Sequence, residues 1–113
     1  MYVRIARFEG GDMDEIDAEG ALLCDGIAAL RRGETTHELP PRLAEVTSRV
    51  EMLVDRKHSA VAFCVYSERE EDMREADTIL AGMTPANKGW GRRVSAEIYE
   101  VALDQATAVP KHA

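Results

Sequence analysis

The chain is short of the residues that most often declare a chemistry. It holds two cysteines and three histidines in 113 residues. Cys24 and Cys64 form no C-x-x-C pair, and neither stands near a histidine at ligand spacing, which excludes a zinc or dithiol motif. Each lies among apolar neighbours and reads as a buried, reduced thiol. His37, His58 and His112 are scattered, so no metal site is expected. Positive charge is also scarce. A formal net charge of −7 removes the basic footprint that nucleic-acid binding needs, and it disfavours docking on anionic membranes. The acidic residues are spread along the chain, which serves solubility. No apolar run approaches the ~18 residues of a membrane span, and Met1-Tyr2-Val3-Arg4-Ile5 lacks the apolar stretch of a signal peptide. The expected location is the cytoplasm. No serine sits in a nucleophile elbow. Gly10-Gly11 and Gly89-x-Gly91 are too short for phosphate loops, and no solenoid-length repeat is visible.

What the chain does have is pattern. Its length suits one domain, expected over 1–104, with a frayed tail over 105–113. Residues 2–8 alternate as a strand. Asp12 with Glu15 forms a helix start, and Met13, Ile16, Gly20, Leu23, Ile27 and Leu30 make one helical stripe ending near Gly33. Residues 33–42 read as a polar loop and 46–55 as a second strand. A turn over 55–59 leads to Ala60-Val61-Ala62-Phe63-Cys64-Val65-Tyr66, an apolar run that suits an inner strand. Ser67 with Glu70 resembles a capping box opening a second helix over 67–83, with Met73, Ala76, Ile79, Leu80 and Met83 on its apolar side. The Glu68-Arg69-Glu70-Glu71-Asp72 run is a solvated first turn rather than an acid–base pair. Residues 92–103 read as a last strand, with Val94, Ala96 and Ile98 on one side and Tyr99, Val101 and Leu103 on the other.

The β-α-β-β-α-β order predicts an α+β, ferredoxin-like domain: a four-stranded antiparallel sheet with two helices on one face. Two helices cover one face only. The other face is expected to be apolar and to pack against a second copy through Tyr99, Val101 and Leu103.

On four segments the chain resembles the dimeric α/β-barrel superfamily, the group similar to antibiotic-biosynthesis monooxygenases. They are Tyr2-Val3-Arg4-Ile5-Ala6-Arg7-Phe8, Ala60-Val61-Ala62-Phe63, Glu70-Glu71-Asp72-Met73-Arg74-Glu75-Ala76-Asp77, and Arg92 through Val101. The resemblance implies a dimeric barrel. It also implies activities ranging from cofactor-independent oxygenation of aromatic polyketides to haem degradation. The haem-degrading branch uses an Asn on the first strand, a Trp, and a His on the second helix. This chain lacks the Asn and the His, and Trp90 stands in a different place, just before the last strand, so the resemblance disfavours haem degradation, and no cofactor is expected. The polyketide branch uses Asn, Trp, Tyr and Arg in its pocket, residue types represented here by Asn87, Trp90 and Arg92.

Among candidate ligand contacts, Trp90 sits between two glycines, where a ring can close over a flat ligand or, as is commoner, plug the core edge or a dimer seam. His37 lies in the 33–42 loop, either over a pocket mouth or simply in solvent. An arginine such as Arg4, Arg7, Arg49, Arg92 or Arg93 could hold an acidic ligand, against the plainer reading of pairing with Glu51 or Glu97. Three roles follow. The first is a homodimer that binds a small molecule, such as an aromatic ligand, between sheet and helices, near Trp90 and the 33–42 loop. The second is a cofactor-independent monooxygenase on a phenolic or quinone-like substrate, and the third is a purely structural dimer.

Overall fold

The computed structural model describes residues 1–35, 39–83 and 88–108. Strand β1 (Tyr2–Gly10) leads into α1 (Met13–Arg31), then a short helix α2 (Pro41–Val46). Strands β2 (Arg49–Asp55) and β3 (Ala60–Ser67) form a hairpin. Helix α3 (Glu70–Gly82) and a 3-10 turn (Lys88–Trp90) precede β4 (Gly91–Glu100). The class is α+β. One four-stranded sheet runs β2-β3-β1-β4, and every neighbouring pair is antiparallel.

Local chemistry accounts for most of these elements. The Asp12 carboxylate accepts the Glu15 N–H at 3.1 Å and caps α1, and Gly33, with φ of 80°, follows its end. Ile16 is fully buried, with Met13, Leu23, Ile27 and Leu30 partly so, along the expected stripe. The hairpin turn is tied by Asp55, whose carboxylate takes the backbone N–H of His58 at 3.3 Å. Strand β3 is an inner strand, as its unbroken apolar run requires.

The core lies between the sheet and the helices. Ala6, Phe8, Val61, Phe63 and Val65 rise from the sheet to meet Ile16 and Trp90. A second cluster joins Leu39, Leu43, Val46 and Ala76, with Ile27, Leu30 and Ile79 against it. Arg4 crosses this layer. It is 3% exposed, and its Nε donates to Asp77 Oδ1 on α3 at 2.8 Å.

Five expectations change. Val46 belongs to α2 rather than to β2: Pro41 suits the first turn of a helix, and Leu43 and Val46, three apart, both enter the core. Ser67 does not cap α3. It ends β3, fully buried, and its hydroxyl donates to the Val46 carbonyl at 2.6 Å, while Arg69 takes the cap position without a side-chain bond. Strand β4 stops at Glu100. Val101 adds one further bond, N–H to the Met1 carbonyl at 2.9 Å, and Leu103 lies beyond the strand, 81% exposed. Cys24 is exposed and only Cys64 is buried. Finally, the helices do not span the sheet. They pack over β1, β3 and β2 and leave the inner side of β4 open, with Ile98 42% exposed beside Arg4.

Candidate functional site

Trp90 is 5% exposed and seated in the core. Its ring meets Phe8 edge-on, with centroids 5.2 Å apart, and leans on Phe63 at 5.5 Å. A glycine clasp holds it there. The Asp12 N–H donates to the Gly89 carbonyl at 2.8 Å. A Cβ on Gly11 would lie 2.7 Å from the Gly89 and Trp90 carbonyl oxygens, and one on Gly89 would lie 2.5 Å from Glu15 Cβ. Gly91 has φ of 87°, and a Cβ there would stand 2.1 Å from the Glu9 carbonyl oxygen. Gly11 and Gly91 let the start of β4 press backbone to backbone against the end of β1, and Gly89 lets the 3-10 turn close on the Glu15 side chain of α1. This is the arrangement of a core plug. One feature does not belong to a plug: the indole Nε1 is buried with no acceptor among the described residues. A donor in that state costs about 1–3 kcal/mol.

Arg92 does not join Trp90. The register sets it beside Glu9, on the sheet face away from the helices. His37 and Asn87 lie outside the described residues. The structure therefore brings no two of these four candidates into one pocket among the described residues. Among those residues no cluster of three or more His, Cys, Asp or Glu is placed to hold a metal ion, and no helix is long and apolar enough to cross a membrane.

The uncovered face is the larger feature. The registers arrange it as a grid with columns β2, β3, β1 and β4. Its rows are Asp55, Ala60, Glu9, Arg92; then Leu53, Ala62, Arg7, Ser95; then Glu51, Cys64, Ile5, Glu97; then Arg49, Tyr66, Val3, Tyr99. Half of the grid is apolar and half is not, which corrects the expectation of a wholly apolar face. Tyr99 stands in the grid, 46% exposed. Val101 lies just past it, half-buried.

The β3 column is small at one end, and that makes a hollow. Ala60 and Ala62 form a floor between the longer side chains of β2 and β1. The hollow measures about 330 Å³ and is lined by Arg7, Phe8, Glu9, Leu53, Val54, Asp55, Ala60, Val61 and Ala62. Tyr66 closes the other end of the column. Its hydroxyl donates to Glu51 at 2.6 Å, and the Arg49 guanidinium lies 5.8 Å from its ring centroid. That bond to Glu51, with burial adding to it, pushes the Tyr66 phenol up to about 12. Burial also raises the Cys64 thiol, with Glu51 adding to the effect.

Of the arginines proposed to face a ligand or to pair across strands, Arg4 pairs with Asp77, and Arg49 pairs with Glu51 along its own strand at 2.9 Å. Arg7 forms no ion pair among the described residues and borders the hollow. The alanine floor was invisible in sequence, because Ala60 and Ala62 sat inside an apolar run whose two faces separate only when register is known. Compared with known proteins, the chain matches no protein-family model and no curated protein.

Proposed function

We propose that the protein is a homodimeric small-molecule-binding domain of ferredoxin-like type, two copies closing a dimeric α/β barrel through their uncovered sheet faces. The strand order β2-β3-β1-β4 supports the fold type. One observation carries the reading. A four-stranded sheet has helices on one side only, and its bare side presents Ile5, Leu53, Ala62, Tyr66 and Tyr99 around buried Val3 and Cys64. In projection the grid measures about 19 Å by about 26 Å, from strand spacing and rise. Two such faces remove about 1,000 Å² before side-chain relief is counted, which reaches the size of a specific interface.

The buried indole N–H of Trp90, which has no partner among the described residues, supports a ligand that brings an acceptor oxygen, such as a phenolate, quinone or carboxylate, to the helix side. A donor held in a dry core is also what an oxygenase would use to stabilise a substrate anion, so the same atom supports the monooxygenase alternative. Light scattering at micromolar concentration should give twice the 12.5 kDa chain mass, and Leu53→Glu, a charge placed on an exposed apolar position of the bare face, should halve it. A lone 12.5 kDa subunit sinks the assembly. Emission from the single tryptophan should shift on titration with a panel of phenols, quinones and aromatic acids. A silent panel on an intact dimer would leave the structural role, and oxygen uptake with hydroquinones would make the binder an enzyme.

A further inference from the structure

From the charge grid we infer that the second copy docks with its two-fold axis in the sheet plane and perpendicular to the strands, so that Tyr66 of each copy fills the other's alanine hollow and Arg49 of each meets Asp55 of the other. This rests on the dimer proposed above and specifies its geometry.

Two arrangements place identical sheets face to face. With the axis along the strands, column β2 opposes column β4. Glu51 then faces Glu97, and symmetry repeats the repulsion. Like charges set directly opposite cost heavily when water is squeezed out. With the axis perpendicular to the strands, each column opposes itself with its rows reversed. The row Asp55, Ala60, Glu9, Arg92 then faces the row Arg49, Tyr66, Val3, Tyr99. No like charges stand opposite. Asp55 meets Arg49, the Arg92 guanidinium meets the Tyr99 ring, and Tyr66 stands over Ala60. Aligned sheets cross at about 30°, which displaces the outer columns by about 4 Å, less than the row spacing of about 6.6 Å.

Shape agrees with charge. The hollow of about 330 Å³ lies over Ala60 and Ala62, two rows or more along β3 from the one bulky residue of that column, Tyr66. Tyr66 is half-buried and fixed in place by its bond to Glu51 and by Arg49 beside its ring. A knob and a socket on one column, on opposite sides of its midpoint, suit a perpendicular axis and no other.

The test is a charge swap. Arg49 and Asp55 are more than half exposed in the single subunit; Asp55 also ties the hairpin turn, so circular dichroism checks that each variant keeps the fold. Arg49→Asp alone and Asp55→Arg alone should each weaken the dimer by about tenfold or more, because each creates two like-charge contacts. The double variant should restore it to within about threefold. Glu97→Lys should not tighten it. A dimer indifferent to both single changes, a double variant no tighter than the singles, or a dimer tightened by Glu97→Lys overturns this geometry while leaving the dimer standing. A monomeric wild type removes both.

Discussion

Gly91→Ala is the sharpest probe of how the chain enters β4. Two costs add. An alanine at φ of 87° sits in the left-handed region, at about 1–2 kcal/mol. Its Cβ would lie 2.1 Å from the Glu9 carbonyl oxygen and 2.7 Å from Gly11 N, more than about 1 Å inside normal contact. Both opposing atoms are backbone, so the relief is to part β1 from β4 at the Gly10–Gly91 and Glu9–Arg92 pairs. Losing about two ladder bonds at 0.5–1.5 kcal/mol each brings the total to about 2–5 kcal/mol. Gly33→Ala is the internal control. Its φ of 80° imposes the same strain, but nothing lies within 4 Å of the added carbon, so it should cost only about 1–2 kcal/mol. Urea unfolding, followed by circular dichroism and by Trp90 emission with equal slopes, measures both. Equal losses for the two variants would refute the clasp.

Two further outcomes follow. The Tyr66 phenol, held neutral to about 12 chiefly by its bond to Glu51, has an ordinary unfolded value near 10. Its contribution to stability is whole below about pH 10 and is lost as pH rises through 10 to 12. Glu51→Gln should flatten that alkaline fall and lower the pH at which the phenol ionises in an ultraviolet titration, and a titration unchanged by Glu51→Gln counts against the bond. Thiol labelling of the native protein should be rapid at exposed Cys24 and slow at buried Cys64. Equal rates for the two thiols would contradict the packing of β3.

Much of the fold was legible because it rests on local pattern. Asp12 and the Met13–Leu30 stripe announced α1, and the run from Ala60 to Tyr66 announced an inner strand. Helix α2 escaped because six residues are too few for a period to show, and because β-branched Val46 and Thr47 lean toward strand. Ser67 misled for a different reason. Ser-x-x-Glu carries a capping pattern, but the hydroxyl is claimed by the Val46 carbonyl on a distant turn, a contact only the folded chain supplies. Cys24 follows Leu23, and a single step along a helix turns a side chain by about 100°, from the core stripe into solvent. The candidate site was the least legible part. Trp90 could be singled out but not its buried N–H, and the hollow depends on which alanines share a face, a property of register rather than of composition.

Strand β4 is also an outer margin of the sheet, and its inner face is bare at Ile98. A long margin of that kind invites other chains to add on, one after another, into ribbons. Two traits oppose such growth here. The ladder to β1 slips between Arg7 and Phe8, leaving β4 irregular near Val94, and Arg92, Arg93, Glu97 and Glu100 place charge along its length. An incoming strand would have to match a broken spacing and bury ions to do so. At this margin, broken register and charge together set the cost of strand addition.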